Sequence, residues 1–347
     1  VKRVLVCAVQ APFITGGAEI LVSELCSHLE RRGLGVDVAR LPFKWYPPSD
    51  LVRQSLAWRM LDVEQSNGLP VDLVIPTKYP SYLVRHPRKV AWLFHQHREA
   101  YDLFGSRFCS LTDSAADRAV REAIVALDQS TLGECRARFT ISRNVADRLQ
   151  RFNGLSAEPL YPPPHHLGRY RHDSFGDYLF FAGRLDRLKR LDLAVDALAR
   201  AGGAGRLLLA GTGPLETELR KQIAALGLEE RVLLLGHVGA DDLLDLYARC
   251  RAAYYGPQDE DYGFVTVEAF LSGKPVLTTT DAGGPLEFVT SEETGLVAEP
   301  RPEAVAEAMD ALFAMPEARL RAMGEAGRAR VQGIGWDHVI DRLTETL

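Results

Sequence analysis

Apolar residues along this chain gather in short runs, each followed by a turn marked with glycine or proline and then by a stretch of helical spacing. Val4 to Val9 is one uninterrupted run, as expected of a strand buried on both faces of a parallel sheet. Gln10 to Phe13 leaves it as a loop, and Gly16-Gly17-Ala18-Glu19 opens a helix with Ile20, Leu21, Leu25 and Leu29 on one side, stopped by Gly33. Further strands are predicted at Val36 to Leu41, Val71 to Ile75 and Val90 to Phe94, with a helical pattern between the first two. Ser114 to Leu127 reads as a helix, and Phe139 to Ser142 as a short strand entering a helix near Asn144 to Phe152, with Ser142 and Asn144 as candidate caps. Three consecutive prolines, Pro162 to Pro164, cannot continue a helix or a central strand, so Tyr161 to Pro164 is the linker.

The pattern then repeats. Strands are expected at Tyr178 to Ala182, Arg206 to Ala210, Arg231 to Leu235, Ala252 to Tyr255 and Pro275 to Thr279. The helices between them are Leu191 to Leu198, one ending at Leu226, Asp241 to Ala248, and Val265 to Leu271. Beyond Gly295-Leu296-Val297 the chain reads as helical packing elements, Pro302 to Phe313, Pro316 to Val331 and Trp336 to Leu347, the last expected to bridge back to the first domain. The fold class is therefore α/β, with two Rossmann-like domains at 1–160 and 161–347.

Composition changes this picture little. A hydrophobic fraction of 46% and a charged fraction of 25% are ordinary for a soluble globular protein, and 347 residues suffice for two cores. Five scattered cysteines, with no CxxC pair, argue against a disulfide framework or a zinc site and for a reducing cytoplasm. No secretory leader and no apolar stretch long enough to cross a bilayer is read in the sequence, which begins with Val1. Residues 1–160 hold 21 Lys+Arg against 17 Asp+Glu, and the remainder 20 against 29. The basic tilt of the first half either suits contact with an anionic membrane or a phosphorylated acceptor or has no consequence.

Candidate chemistry collects where strands end, the place where doubly wound sheets bind ligands. The segment Asp259 to Phe270, DEDYGFVTVEAF, predicts a helix opening near Gly263, whose first amides suit an anion or a hydroxyl-rich ligand. Glu260 outside that helix and Glu268 one turn inside it either face one pocket or are, respectively, a solvated loop acid and a glutamate favoured by the helix dipole. Arg184 and Lys189 follow the glycine that ends Tyr178–Ala182; they form either a diphosphate clamp or, with Arg187 and Arg190, a solvated basic turn. Gly16-Gly17 would let backbone amides meet a phosphate, and a tight turn explains the pair equally well. His95 opens HQHREAYD at a strand end, where a substrate site and a structural role stand about even. His95-x-His97 lacks further ligands for a metal, and Asp259-Glu260-Asp261 satisfies only a bare three-letter metal pattern.

Taken together, Gly16-Gly17, His95, FAGRLDRLK with Arg184 and Lys189, GTGP at 211–214, Glu260 with seven residues before Glu268, SGKPV at 272–276 and Gly283-Gly284-Pro285 resemble the retaining glycosyltransferases of family 4, the group 1 glycosyl transferases. That family has the GT-B fold, two facing Rossmann-like domains with a cleft between them. The resemblance implies a nucleoside-diphosphate sugar, GDP-mannose or a UDP-sugar, held mainly by the second domain. Arg184 and Lys189 would hold the diphosphate, Glu268 the ribose diol, and Glu260 with the Gly263 and Phe264 amides the sugar hydroxyls. Gly211 and Gly213 would line the donor site, backbone at His237 and Val238 would take the base, Gly16 and Gly17 would approach the phosphates, and His95 would touch the donor sugar. It further implies retention, no metal and no cofactor, no nucleic-acid partner, and a glycan or lipid-linked acceptor. Bacterial polysaccharide assembly, mannosyl transfer and a cytoplasmic place at the inner membrane face fit it. A nucleotide-sugar 2-epimerase of the same fold and a non-catalytic nucleotide-sugar binding protein are the alternatives.

Overall fold

The computed structural model describes residues 1–13 and 16–347. The chain divides into two compact units, Val1–His165 with Ile334–Leu347, and His166–Gly333.

The first unit opens with β1 (Arg3–Gln10), α1 (Gly17–Arg31), β2 (Gly35–Pro42) and α2 (Ser49–Met60), then a two-residue hairpin, β3 (Gln65–Ser66) and β4 (Leu69–Pro70). It continues with β5 (Leu73–Pro76), β6 (Val90–Leu93), α3 (Ala115–Gly133), β7 (Ala137–Thr140), α4 (Arg143–Asn153) and β8 (Glu158–Pro159). Its strands pair in parallel in the orders β2-β1-β5 and β6-β7-β8, and single bridges at Val74–Lys89 and Lys78–His95 join the two sets. The buried runs are almost wholly apolar: all four residues of β5 and of β6 are buried, which is what strands covered by helices on both faces require. Of the two candidate caps, Ser142 is the one used, its hydroxyl accepting from the Val145 amide at 3.0 Å; Asn144 lies inside α4.

One polar cluster sits in this core. Asp128 on α3 is fully buried and accepts from the Tyr101 hydroxyl at 2.6 Å and from the Gln96 amide at 3.1 Å, and Gln96 also donates to Asn153 at 2.9 Å. Burial raises the Asp128 carboxyl from an ordinary 3.8 to about 7, against the pull of hydrogen bonds from Tyr101 and Gln96. At a pH below 3.8 both the folded and unfolded chains carry the proton, so the shift has no effect on stability there. Between that value and about 7 the folded chain holds the proton and the unfolded chain releases it, so this group progressively destabilises the fold as pH rises. Asp128→Asn is therefore expected to raise the urea midpoint at pH 8, with the gain shrinking toward pH 4; a gain independent of pH would show that the carboxyl is not the cause.

The second unit runs β9 (Tyr178–Ala182), α5 (Leu191–Arg200), β10 (Arg206–Ala210), α6 (Glu216–Ala225), β11 (Val232–Gly236), α7 (Ala240–Arg249), β12 (Ala252–Tyr254), α8 (Phe264–Leu271), β13 (Val276–Thr279) and β14 (Gly295–Ala298). Helices α9 (Pro302–Ala314) and α10 (Glu317–Val331) complete it. Six parallel strands lie in the order β11-β10-β9-β12-β13-β14. The order reverses between β9 and β12, and at such a point the loops leaving neighbouring strands diverge to opposite faces and open a crevice for a ligand. Strand β14 is absent from the expectations. Its four residues begin with a glycine and show no alternation, and only pairing with β13 defines it as a strand.

The last helix, α11 (Trp336–Thr344), belongs to the first unit. Trp336 stacks on His28 of α1 with ring centres 4.7 Å apart and meets the edge of Trp92, while Arg32 reaches Asp337 and Asp341. Leu160 is tied into the first unit, its amide donating to the Thr140 carbonyl and its carbonyl accepting from Trp92, and the division itself falls between His165 and His166, after the proline run. Among the described residues no helix is long and apolar enough to cross a membrane.

Candidate functional site

The loops that leave β9 and β12, the two strands at the reversal, bring three side chains together. Lys189 comes from the first loop, Tyr255 and Glu260 from the second. The Lys189 ammonium donates to Glu260 Oε2 and, at 3.3 Å, to the Tyr255 hydroxyl, and Tyr255 donates to the same Glu260 oxygen at 2.8 Å. The side chains of Lys189 and Glu260 are each 18% exposed, so the pair is sheltered but reachable. Burial works against the Lys189 charge, yet Glu260, Tyr255 and Asp186 outweigh it and hold the ammonium above the usual lysine range. Burial and the Glu260 charge likewise keep the Tyr255 phenol protonated.

Both loops are fixed by the backbone. The Glu260 amide donates to the Ala282 carbonyl and the Glu260 carbonyl accepts from the Gly284 amide, each at 2.8 Å, so the loop after β13 grips this residue on both sides. Gly284 must be a glycine here, since a Cβ would lie 2.6 Å from the Tyr262 carbonyl oxygen. Arg190 ties the first loop to the second. It is 6% exposed and donates to the carbonyls of Gly256 and Pro257, to Thr279, and through two nitrogens to Asp281. The basic turn is thus not uniformly solvated: Arg184 and Arg187 are exposed, Lys189 is half-buried and Arg190 is a buried strut.

Helix α8 starts beside this cluster. Its cap, Gly263, has a φ of 92° and a Cβ there would meet the Tyr255 ring at 2.8 Å, so only glycine fits against the tyrosine. Phe264 opens the helix and Glu268 follows one turn later. Glu268 does not join Lys189 in the hydrogen-bonded cluster; it accepts from the hydroxyl of Tyr247, a buried residue of α7, at 2.7 Å. Tyr170 packs edge-on to Tyr247 and also feels the Glu268 charge, which with burial raises its phenol well above the ordinary value. Tyr247 therefore orients this carboxylate through a direct hydrogen bond.

The structure gives Gly211 and Gly213 a packing role. The Gly183 amide donates to the Ala210 carbonyl and the Leu185 amide to the Thr212 carbonyl, zipping the loops after β9 and β10 together. A Cβ on Gly211, which has a φ of 127°, would lie 1.9 Å from the Gly183 carbonyl oxygen, and one on Gly213 2.3 Å from that of Leu185. These glycines admit backbone against backbone. His237, exposed, and Val238, half-buried, follow β11 at the sheet's edge.

In the first unit, Gly16 and Gly17 lie at the start of α1. The Gly16 amide donates to Glu19 at 2.9 Å, and Glu19 pairs with Lys78 at 3.3 Å. His95 follows β6, half-buried, with Nδ1 2.8 Å from the Gln96 carbonyl oxygen. Among the described residues no group of three or more His, Cys, Asp and Glu side chains is placed to hold a metal ion.

Tyr255, Tyr247, Tyr170 and Arg190 were not singled out from the sequence. Tyr255 closes an apolar strand immediately before Gly256, a position that could have marked it as facing the strand's end. Tyr247 sits on the apolar face of α7 with Leu244 and Ala248 and reads there as core.

Residues 169–330 match the family model for glycosyl transferases group 1. Over 179 residues the chain is 34% identical to a D-inositol 3-phosphate glycosyltransferase of Nocardia farcinica, covering 48% of this chain and 39% of the relative. Over 171 residues it is 30% identical to human alpha-1,3/1,6-mannosyltransferase ALG2, covering 44% and 40%. The matches thus span about 40% of the length of these curated relatives. Among solved structures, sucrose-phosphate synthase from Thermosynechococcus elongatus superposes with a TM-score of 0.79 at 20% identity, over 99% of this chain and 98% of that one. Anabaena HepE in complex with UDP and glucose gives a TM-score of 0.68 at 19% identity, over 99% of both chains. Residues 169–330 are thus similar to the glycosyl transferases group 1 family, and the two α/β units of the chain have the GT-B fold.

Proposed function

We propose that this protein is a retaining, metal-independent glycosyltransferase that moves a hexose from a nucleoside-diphosphate sugar to a hydroxyl of a glycan or lipid-linked acceptor. The observation that carries the reading is the meeting of Lys189, Tyr255 and Glu260 at the strand-order reversal, beside the start of α8. An ammonium has three donors. With two directed at Glu260 and Tyr255, the third serves a phosphate oxygen, joined by the exposed Arg184 and the α8 amides. As the anomeric bond breaks, charge grows on the departing diphosphate, and these fixed donors stabilise it without reorganisation. Glu260, positioned by Lys189 and Tyr255, meets the sugar hydroxyls, and Glu268, braced by Tyr247, takes the ribose diol. The donor phosphate itself assists deprotonation of the acceptor, and no protein nucleophile is required. The mannosyltransferase relative and the UDP and glucose of the HepE complex support this class of donor.

Calorimetry with UDP and GDP tests the site. Glu268→Ala is expected to weaken nucleotide binding about 10- to 100-fold, the loss of a charge-assisted hydrogen-bonded pair. Unchanged affinity would place the nucleotide elsewhere. Turnover should survive excess chelator, and the product should keep the donor's anomeric configuration by NMR; loss restored by manganese, or an inverted product, would overturn the respective part.

A further inference from the structure

A second concavity lies in the first unit, where β1 and β2 end. It encloses about 710 Å³ and is lined by Phe13, Phe43, Trp45 and Tyr46 with Asp50 and Arg53 of α2. We propose that it is a carbohydrate subsite that takes one pyranose ring of the acceptor glycan, a proposal that rests on the glycosyltransferase reading above.

The lining has the chemistry of sugar recognition. A pyranose presents a flat face of C–H groups that packs on aromatic rings and a rim of hydroxyls that needs donors and acceptors together. Trp45 is 41% exposed and Tyr46 58%, with ring centres 5.4 Å apart and planes at 81°, so they form a corner of two walls. At the rim, Arg53 donates to Asp50 at 3.1 Å and Lys44 lies 3.7 Å from the same carboxylate, a group able to accept from a diol beside cations able to donate. An acyl chain would cover this ion-paired rim without offering it a hydrogen bond, which is why a hydroxylated ring fits better than a lipid tail.

The platform is held in place before any ligand arrives. Gln54 accepts from the Lys44 amide at 2.8 Å and donates to the Lys44 carbonyl, clamping the backbone immediately before Trp45, and donates also to the Asp50 carbonyl. The Lys44 ammonium sits 4.9 Å from the Tyr46 ring centre. Phe13, fully exposed, adopts a φ of 65°, a left-handed conformation that a bulky residue seldom takes without a compensating contact.

Intrinsic fluorescence tests this on the intact protein, because Trp58, Trp92 and Trp336 are 1%, 0% and 6% exposed and Trp45 alone faces the pocket. Titration with α-linked mannotriose and maltotriose, without nucleotide, should change the emission saturably with at least one of them. Trp45→Phe should remove the signal while retaining binding by saturation-transfer NMR, and Trp45→Ala and Asp50→Asn should weaken that binding about tenfold or more. No saturable response and no saturation transfer with either sugar would overturn the proposal, as would a Trp45 response to phosphatidylglycerol vesicles alone, which would make the face a lipid contact. Calorimetry with UDP and GDP on Trp45→Ala separates the two readings: nucleotide affinity should be unchanged, and a wild type that binds sugar but no nucleotide would sink the donor site and leave this subsite standing.

Discussion

Lys189→Ala is expected to lower kcat/KM by about 10²- to 10³-fold, the size of effect seen when one fixed donor to a developing negative charge is removed. The variant loses a cation whose position is set by two partners, Glu260 and the Tyr255 hydroxyl. Most of the loss should fall on kcat, because charge on the leaving diphosphate is greater in the transition state than in the bound donor. Lys189→Arg should rescue little, since a planar guanidinium cannot aim one donor at Glu260, one at Tyr255 and one at phosphate from the same point. Glu260→Gln keeps the side chain's shape but weakens its hold on the ammonium, so it should lose activity while the fold survives. Steady-state kinetics with donor and acceptor, alongside circular dichroism, checks all three. An alanine variant with unaltered kcat/KM would remove Lys189 from the reaction.

The same cluster shows what could be read from the sequence and what could not. The α/β repeat was legible because each buried strand is a run of apolar residues: Tyr178–Ala182 and Arg206–Ala210 have the bounds expected from the pattern. Glycine at the head of α8 was legible because a turn needs it, and the structure adds the reason, the Tyr255 ring packed against Gly263. Direct contact between Lys189 and Glu260 was not legible, because it depends on β9 and β12 being neighbours, and strand order is a long-range property that local pattern does not encode. Gly211 and Gly213 carry a requirement that the local pattern does not show. A glycine at a strand end invites a ligand-binding reading, and here their missing side chains make room for the neighbouring loop's backbone.

Arg190 is the clearest case of a residue whose sequence context misleads, and its replacement is expected to have the largest effect on stability. In the run Arg187-Leu188-Lys189-Arg190 it looks like one more solvated cation. Its guanidinium is instead buried and takes up two loop carbonyls, a threonine hydroxyl and the Asp281 carboxylate. Arg190→Ala leaves the carbonyls of Gly256 and Pro257 without these donors and Asp281 without its cation. Breaking a buried ion pair costs about 3–5 kcal/mol, and because the Asp281 side chain is 41% exposed the lower end, about 3 kcal/mol, is expected here. The effect reaches the site as well, since Gly256 and Pro257 lie between Tyr255 and Glu260 and a loosened loop no longer presents either to Lys189. Arg184→Ala supplies the contrast: that residue is exposed, and its removal should leave stability within about 0.5 kcal/mol while weakening nucleotide binding. Urea denaturation of both variants, read beside calorimetry with UDP and GDP, separates the strut from the exposed cation proposed to meet the nucleotide. Equal stability losses in the two would mean that the turn is held by something other than Arg190.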